Sequence, residues 1–96
     1  MVKTQEKIKA FSTKYKFDSE SVEQKFLLLI EEVGEFAKAA RKNIGMKTGE
    51  HSHDFNLEEE AADVLYVLAD IANKFEIDLD SALNKKLEKF KDRDYK

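Results

Sequence analysis

Apolar residues recur along this chain at steps of three and four, and the rows they form outline four helices. The first is expected from about Lys3 to Tyr15, with Ile8, Phe11 and Tyr15 on one side. The segment KFDSES breaks it, and Asp18 or Ser19 can cap the next helix. That second helix is expected from about Glu20 to Lys42, with Val22, Phe26, Leu29, Val33, Phe36 and Ala40 as its core stripe. The stretch NIGMKTGEHSHDFN, Asn43 to Asn56, reads as the main loop. Asn56 then caps a third helix, with Glu59 at the reciprocal capping-box position. Leu57, Ala61, Val64, Leu68, Ile71 and Phe75 repeat the stepping. Ala62, Leu65, Tyr66, Val67, Ala69 and Ala72 make the other sides apolar too, so this helix is expected at the centre. Glu76 to Asp78 connects it to a fourth helix from about Leu79 to Arg93, whose buried line is Leu83, Leu87 and Phe90.

Composition supports helices and little else. There is no Pro, and two of the three Gly fall in the main loop. Strand-like alternation of β-branched residues is absent. The chain has 96 residues, which suits one domain over 1–96. A domain of this size buries only roughly 60–65% of its unfolded surface, so a partner subunit would help. The second helix, at ~1.5 Å per residue, also calls for a bundle shared with another subunit.

Charge and cysteine content narrow the function. The net charge of -3 gives no global basic field for DNA or RNA. With no Cys there is no disulfide framework and no thiolate metal site. MVKTQEKIKAF is too charged for a signal peptide, and the longest apolar run is far short of a membrane span. The expectation is a soluble, cytoplasmic protein.

Asp63 poses the sharpest question, because it interrupts a stretch that otherwise reads as interior, EEAADVLYVLAD. An unpaired buried carboxylate would cost several kcal/mol or take up a proton. Two rows answer it. Leu28, Glu32, Glu35 and Ala39 share one flank of the second helix, and Glu60, Asp63 and Val67 share one flank of the third. Surface acids on helices ordinarily pair with Lys, which is the natural reading of Glu31, Glu58 and Glu59. Two acid pairs beside apolar rows are different. Converging carboxylates raise one another's pKa and need cations. Oxygen donors without His or Cys suit Mg²⁺, with Mn²⁺ as a substitute, rather than zinc. Di-iron bundles use Glu-x-x-His, whereas His51 and His53 lie in the loop. Lys86, Lys89 and Arg93 form a basic row on the fourth helix, with Lys85 and Lys91 pointing elsewhere. Taken alone the row reads as a solvated Lys-rich face paired with Glu88 and Asp92, whereas beside a carboxylate–metal cluster it suits a polyphosphate.

Taken together, EEVGE at Glu31 to Glu35, EAAD at Glu60 to Asp63 and KKLEKFKDRD at Lys85 to Asp94 resemble the MazG-like nucleotide pyrophosphohydrolases. These belong to the all-α NTP pyrophosphatase superfamily. The resemblance covers about Phe17 to Asp94. It implies an all-α fold with a four-helix-bundle core assembled as a homodimer or homotetramer. It also implies Mg²⁺-dependent hydrolysis of nucleoside triphosphates to monophosphate and pyrophosphate. By position, Glu32, Glu35, Glu60 and Asp63 would be metal ligands, with Glu35 the candidate to orient or deprotonate water. Glu31 would be a more variable leading acid. Lys86, Lys89 and Arg93 would bind phosphate. Phe90, where many relatives have Asn, and Asp94 depart from the family pattern. Phe11, Tyr15, Phe17 and Phe26 are candidates to contact the base, although packing in the core is the more ordinary role for each. The competing reading is a non-catalytic helical module that oligomerises or binds nucleotides.

Overall fold

Helices start where something satisfies their first backbone N–H groups, and here side chains do so for α2, α3 and α4. The computed structural model describes residues 1–44 and 56–92. Among them are four α-helices, a 3-10 turn at Phe17–Ser19 and no strand. α1 is Val2–Lys14, α2 Val22–Asn43, α3 Leu57–Lys74 and α4 Leu79–Asp92. The fold is all-α, as the periodicity predicts. No helix among the described residues is long and apolar enough to cross a membrane.

The cap of α2 corrects the sequence reading. Ser21, not Asp18 or Ser19, forms a reciprocal capping box with Gln24, so the helix starts at Val22 rather than Glu20. The turn at Phe17–Ser19 uses the earlier candidates in its own local structure. Asn56 does cap α3, its Oδ1 accepting from the Glu59 N–H at 2.9 Å. At α4, Asp78 Oδ1 accepts from the N–H groups of Asp80 and Ser81.

The chain divides into two compact units, Met1–Asp18 with Ala69–Lys96, and Ser19–Leu68. In the first, Ile8, Ala69, Ile71 and Ala72 are buried together with Gln5, Ser12 and Asp70. Gln5 joins α1 to α3 and to the start of α4. Its Nε2 donates to Asn73 Oδ1 at 3.0 Å and to the Ile77 carbonyl at 2.8 Å, and its Oε1 accepts from the Leu79 N–H at 2.9 Å. Asn73 answers by donating to the Gln5 carbonyl. The side chain of α1 thereby closes the turn between α3 and α4 and caps the first residue of α4. Asp80 accepts from the Val2 N–H and pairs with the Met1 amino group, which hold its carboxyl below the usual carboxylate range. In the second unit, Ala39 and Val67 are buried, and so is Lys25, whose Nζ meets Glu20 Oε1 at 3.3 Å.

The apolar stripes are helical but largely uncovered in this single chain. Phe26 and Val33 of α2 are exposed, and none of its predicted stripe is fully buried. On α3 only Ile71 of the predicted stripe is buried, while Leu68 and Phe75 are exposed. Leu83, Leu87 and Phe90 are all exposed on α4, which has no buried residue. Phe11 and Tyr15 are exposed on α1. Periodicity identifies a face but does not say what covers it, and a chain this short lacks enough surface to cover every face it presents.

α1 and α3 both end with a non-glycine residue in the left-handed region, Lys16 at φ 65° and Glu76 at φ 57°. At Glu76 the reason is clear. The Glu76 N–H donates to the Asn73 carbonyl and the Ile77 N–H to the Ala72 carbonyl, the paired bonds of a Schellman ending. A side chain there costs about 1 kcal/mol that glycine avoids. Glu76→Gly is therefore expected to stabilise the protein by about 0.5–1 kcal/mol, read as a higher denaturation midpoint with an unchanged m-value. A lower midpoint would mean that the Glu76 side chain contributes more than its backbone costs.

Candidate metal centre

α2 and α3 bring the two acid rows to one place within the unit Ser19–Leu68. Glu32, Glu60 and Asp63 each offer a carboxylate oxygen within 4.8 Å of the others. Glu60 and Asp63 lie three apart on the first turns of α3, and the Asn56 cap sets where those turns begin. Glu32 and Glu60 are half-buried. Asp63 is exposed, which corrects its expected place in the interior. Val67, one turn on, is the first residue of that row to be buried. Glu35 is exposed and is not one of the three converging acids. Its charge acts on Glu32.

Burial, and after it the carboxylates of Asp63, Glu60, Glu35 and Glu31, push the Glu32 carboxyl above the ordinary glutamate range. Among the described residues no ion pair joins Glu32, Glu60 or Asp63 to a cationic side chain. The donor set fits a hard divalent cation. Ligand oxygens around an octahedral Mg²⁺ at ~2.1 Å lie about 3–4 Å apart, so a small contraction of this cluster would provide three of them.

The basic row is less fully described. Lys86 and Lys89 lie on α4 and line a hollow of about 490 Å³ with Glu76, Ile77, Asp78, Ser81 and Ala82. Lys85 lines it too, contrary to the expectation that it points elsewhere. One helical step of 100° leaves a long Lys side chain able to swing back to its neighbour's side. Lys86 Nζ stands 5.4 Å from the centre of the Phe90 ring. Arg93 and Asp94 lie outside the described residues, as do His51 and His53 with most of the loop between α2 and α3. Phe11, Tyr15 and Phe17 form an exposed aromatic cluster, with Phe11 4.6 Å from Tyr15 and 6.2 Å from Phe17 between ring centres. Phe26 is exposed as well, so none of the four serves as core in this chain.

The family comparison spans both acid rows. The model of the MazG nucleotide pyrophosphohydrolase domain matches residues 20–96. The chain belongs to this family. The MazG match takes in α2, α3 and α4 and starts after α1. Uncharacterized protein YpjD of Bacillus subtilis (strain 168) is similar to this MazG chain, at 39% identity over 67 residues. That match covers 69% of the chain and 60% of the relative, so the chain spans about three fifths of the length of the curated relative it matches. No solved structure matches. MazG domains act on nucleoside triphosphates and generally use a divalent metal. The three-carboxylate cluster suits that requirement.

The raised Glu32 pKa fixes the sign of a pH effect in the metal-free protein. Folded Glu32 binds its proton at a higher pH than unfolded Glu32 does. Between those two values the folded state carries more protons, so stability rises as pH falls through that window. Asp80 acts in the opposite sense and loses its contribution as pH falls through its lowered pKa. In EDTA, Glu32→Gln is expected to raise the melting temperature near neutral pH and to flatten the gain on acidification. Thermal melts of both proteins across the carboxylate range check this. An unchanged pH profile in Glu32→Gln would remove the electrostatic account.

Proposed function

We propose that this chain is a Mg²⁺-dependent nucleoside triphosphate pyrophosphohydrolase, with Mn²⁺ as a substitute metal, that converts (d)NTP to (d)NMP and pyrophosphate. The convergence of Glu32, Glu60 and Asp63 across α2 and α3 is the observation that carries the proposal. Membership of the MazG family supplies the substrate class. Cytoplasmic housecleaning of the nucleotide pool is the role that fits such an activity.

Glu32, Glu60 and Asp63 hold the metal in this reading, with Glu35 completing the set. The bound metal would lower the pKa of a water and offset charge on the phosphate oxygens. Glu35, exposed and one turn from Glu32, orients a water molecule and accepts its proton at a carboxylate oxygen. That water attacks the α-phosphorus, the bond to the bridging oxygen breaks, and pyrophosphate leaves. Lys86, Lys89 and Arg93 bind phosphate oxygens, Arg93 with the capacity for two parallel hydrogen bonds. Positioning and charge stabilisation account for most of the rate.

The assembly we propose is a homodimer or homotetramer. α2 leaves Phe26, Leu27, Ile30 and Val33 exposed, and α4 leaves Leu83, Leu87 and Phe90 exposed. Large apolar side chains grouped this way on helices mark surfaces that another chain covers. No nucleic acid or membrane is needed in this account, in keeping with the net charge of -3.

Incubation with a panel of dNTPs and Mg²⁺, followed by detection of pyrophosphate, tests the activity. Glu60→Gln and Asp63→Asn are each expected to lower kcat by at least about a hundredfold while keeping the helical circular-dichroism spectrum. Unchanged kcat in both would defeat the site assignment. Orthophosphate release alone would mean that a different bond is cut, and binding without turnover would favour the non-catalytic module. Light scattering behind size exclusion is expected to give two or four times the chain mass of 11.1 kDa, and a monomer would overturn the assembly.

A further inference from the structure

Within the unit Met1–Asp18 with Ala69–Lys96, α4 carries the basic row and is held at its start. Leu79 and Asp80 are half-buried, whereas every residue from Ser81 to Asp92 is exposed. Those first two residues are the ones that α1 bonds. Gln5, 7% exposed, accepts from the Leu79 N–H with Oε1 at 2.9 Å, and its Nε2 donates to the Ile77 carbonyl at 2.8 Å. The Val2 N–H donates to Asp80 Oδ2 at 2.9 Å. Asn73 closes the circuit, accepting from Gln5 Nε2 and donating to the Gln5 carbonyl, both at 3.0 Å. The corner held in this way is one wall of the hollow of about 490 Å³, because Ile77 and Asp78 line it together with Lys85, Lys86 and Lys89. Asp78 Oδ1 is already engaged by the N–H groups of Asp80 and Ser81. Among the described residues no ion pair joins any of the three lysines to an acidic side chain.

We infer that Gln5 is a positioning residue for phosphate binding: it fixes the corner from which α4 departs, and so sets where the ammonium groups of Lys85, Lys86 and Lys89 stand around the hollow. The inference rests on the phosphate role proposed above for Lys86 and Lys89, and it adds Lys85 to them. The corner presents a carbonyl at Ile77 and an N–H at Leu79, so a single group must both donate and accept, and the Gln amide does both. A helix fixed at one end swings about that end. Lys89 lies ten residues beyond Leu79, roughly 15 Å along the axis, so a tilt of about 10° would move it by roughly 2–3 Å. Cations that must close on one phosphate chain bind it best when their places are set beforehand. A second chain over Leu83, Leu87 and Phe90 would restrain α4 along its apolar line, and the corner would still set where that line begins. The MazG match starts after α1, so this control comes from a part of the chain outside the matched domain.

The test uses inorganic triphosphate in EDTA, so that it needs neither metal nor turnover. Titrated into the full chain and followed by NMR, it is expected to move the signals of Lys85, Lys86 and Lys89. Gln5→Met keeps the helix propensity of the side chain and removes its donor and acceptor. It is expected to weaken triphosphate about tenfold, as the fraction of molecules with the lysines in place falls to about a tenth. Ile8→Ala truncates a buried residue of α1 that takes no part in these hydrogen bonds. It is expected to lower the melting temperature and to keep the affinity within about twofold. With dNTP and Mg²⁺, Gln5→Met is expected to raise KM and keep kcat. If Gln5→Met does not fold, Gln5→Glu, which keeps the acceptor for Leu79 and loses the amide donors, enters the same comparison and is expected to lose about threefold. Unchanged affinity in the folded variant, equal losses in it and Ile8→Ala, or no response of the three lysines in the wild type overturns the inference. Pyrophosphate release from dNTP without a lysine response defeats this inference alone. A lysine response that depends on Gln5, without hydrolysis of any dNTP, upholds it and defeats only the activity.

Discussion

Three carboxylate oxygens from Glu32, Glu60 and Asp63 occupy a space less than 4.8 Å across, and their mutual repulsion shapes the rest of this chain. At that separation each pair of charges repels by about 1 kcal/mol even at the dielectric of water. The helices must hold the acids together against this. α2 does so over 22 residues with a reciprocal capping box at its start, and α3 with an Asn cap one turn ahead of Glu60. The raised pKa of Glu32 reflects the same opposition between packing and charge. In the proposed reading a bound cation would turn this repulsion into attraction, and binding it would stabilise the folded state.

The acids were legible in the sequence because helical geometry is regular. Residues three and four apart share a face, and that rule placed Glu32 with Glu35 and Glu60 with Asp63 before any tertiary contact was known. What it could not give was depth. Asp63 sits among Ala62, Val64 and Leu65 in the sequence, yet it is exposed, because burial on α3 begins only at Val67. Nor did spacing separate Glu35 from the converging three, since reach across to α3 depends on where the two helices meet.

The polar interior escaped the sequence reading for a different reason. Gln5, Ser12 and Lys25 look like surface residues, yet all three are buried, and Gln5 and Ser12 meet partners far along the chain. Gln5 finds its partners 68 to 74 residues away, at Asn73, Ile77 and Leu79. No local pattern signals such a pairing. The caps behave in the reverse way. Asn56 and Asp78 act on residues two or three positions ahead, so they are readable from the chain. Ser21 competed with two equally suitable neighbours, and Gln24 at the third helical position decided the outcome.

Gln5 also bears on the order in which the molecule assembles. Its hydrogen bonds span most of the chain, so the entropy of closing that long loop must be met before any of them forms. The caps at Ser21, Asn56 and Asp78 need no such closure and can form on the helix timescale. α1 therefore acts as a latch on the corner between α3 and α4. Without it the Leu79 N–H would lose its partner from α1, and Asp78 alone would cap the opening turn of α4. An event near one end of the polypeptide is in this way felt as rigidity near the other.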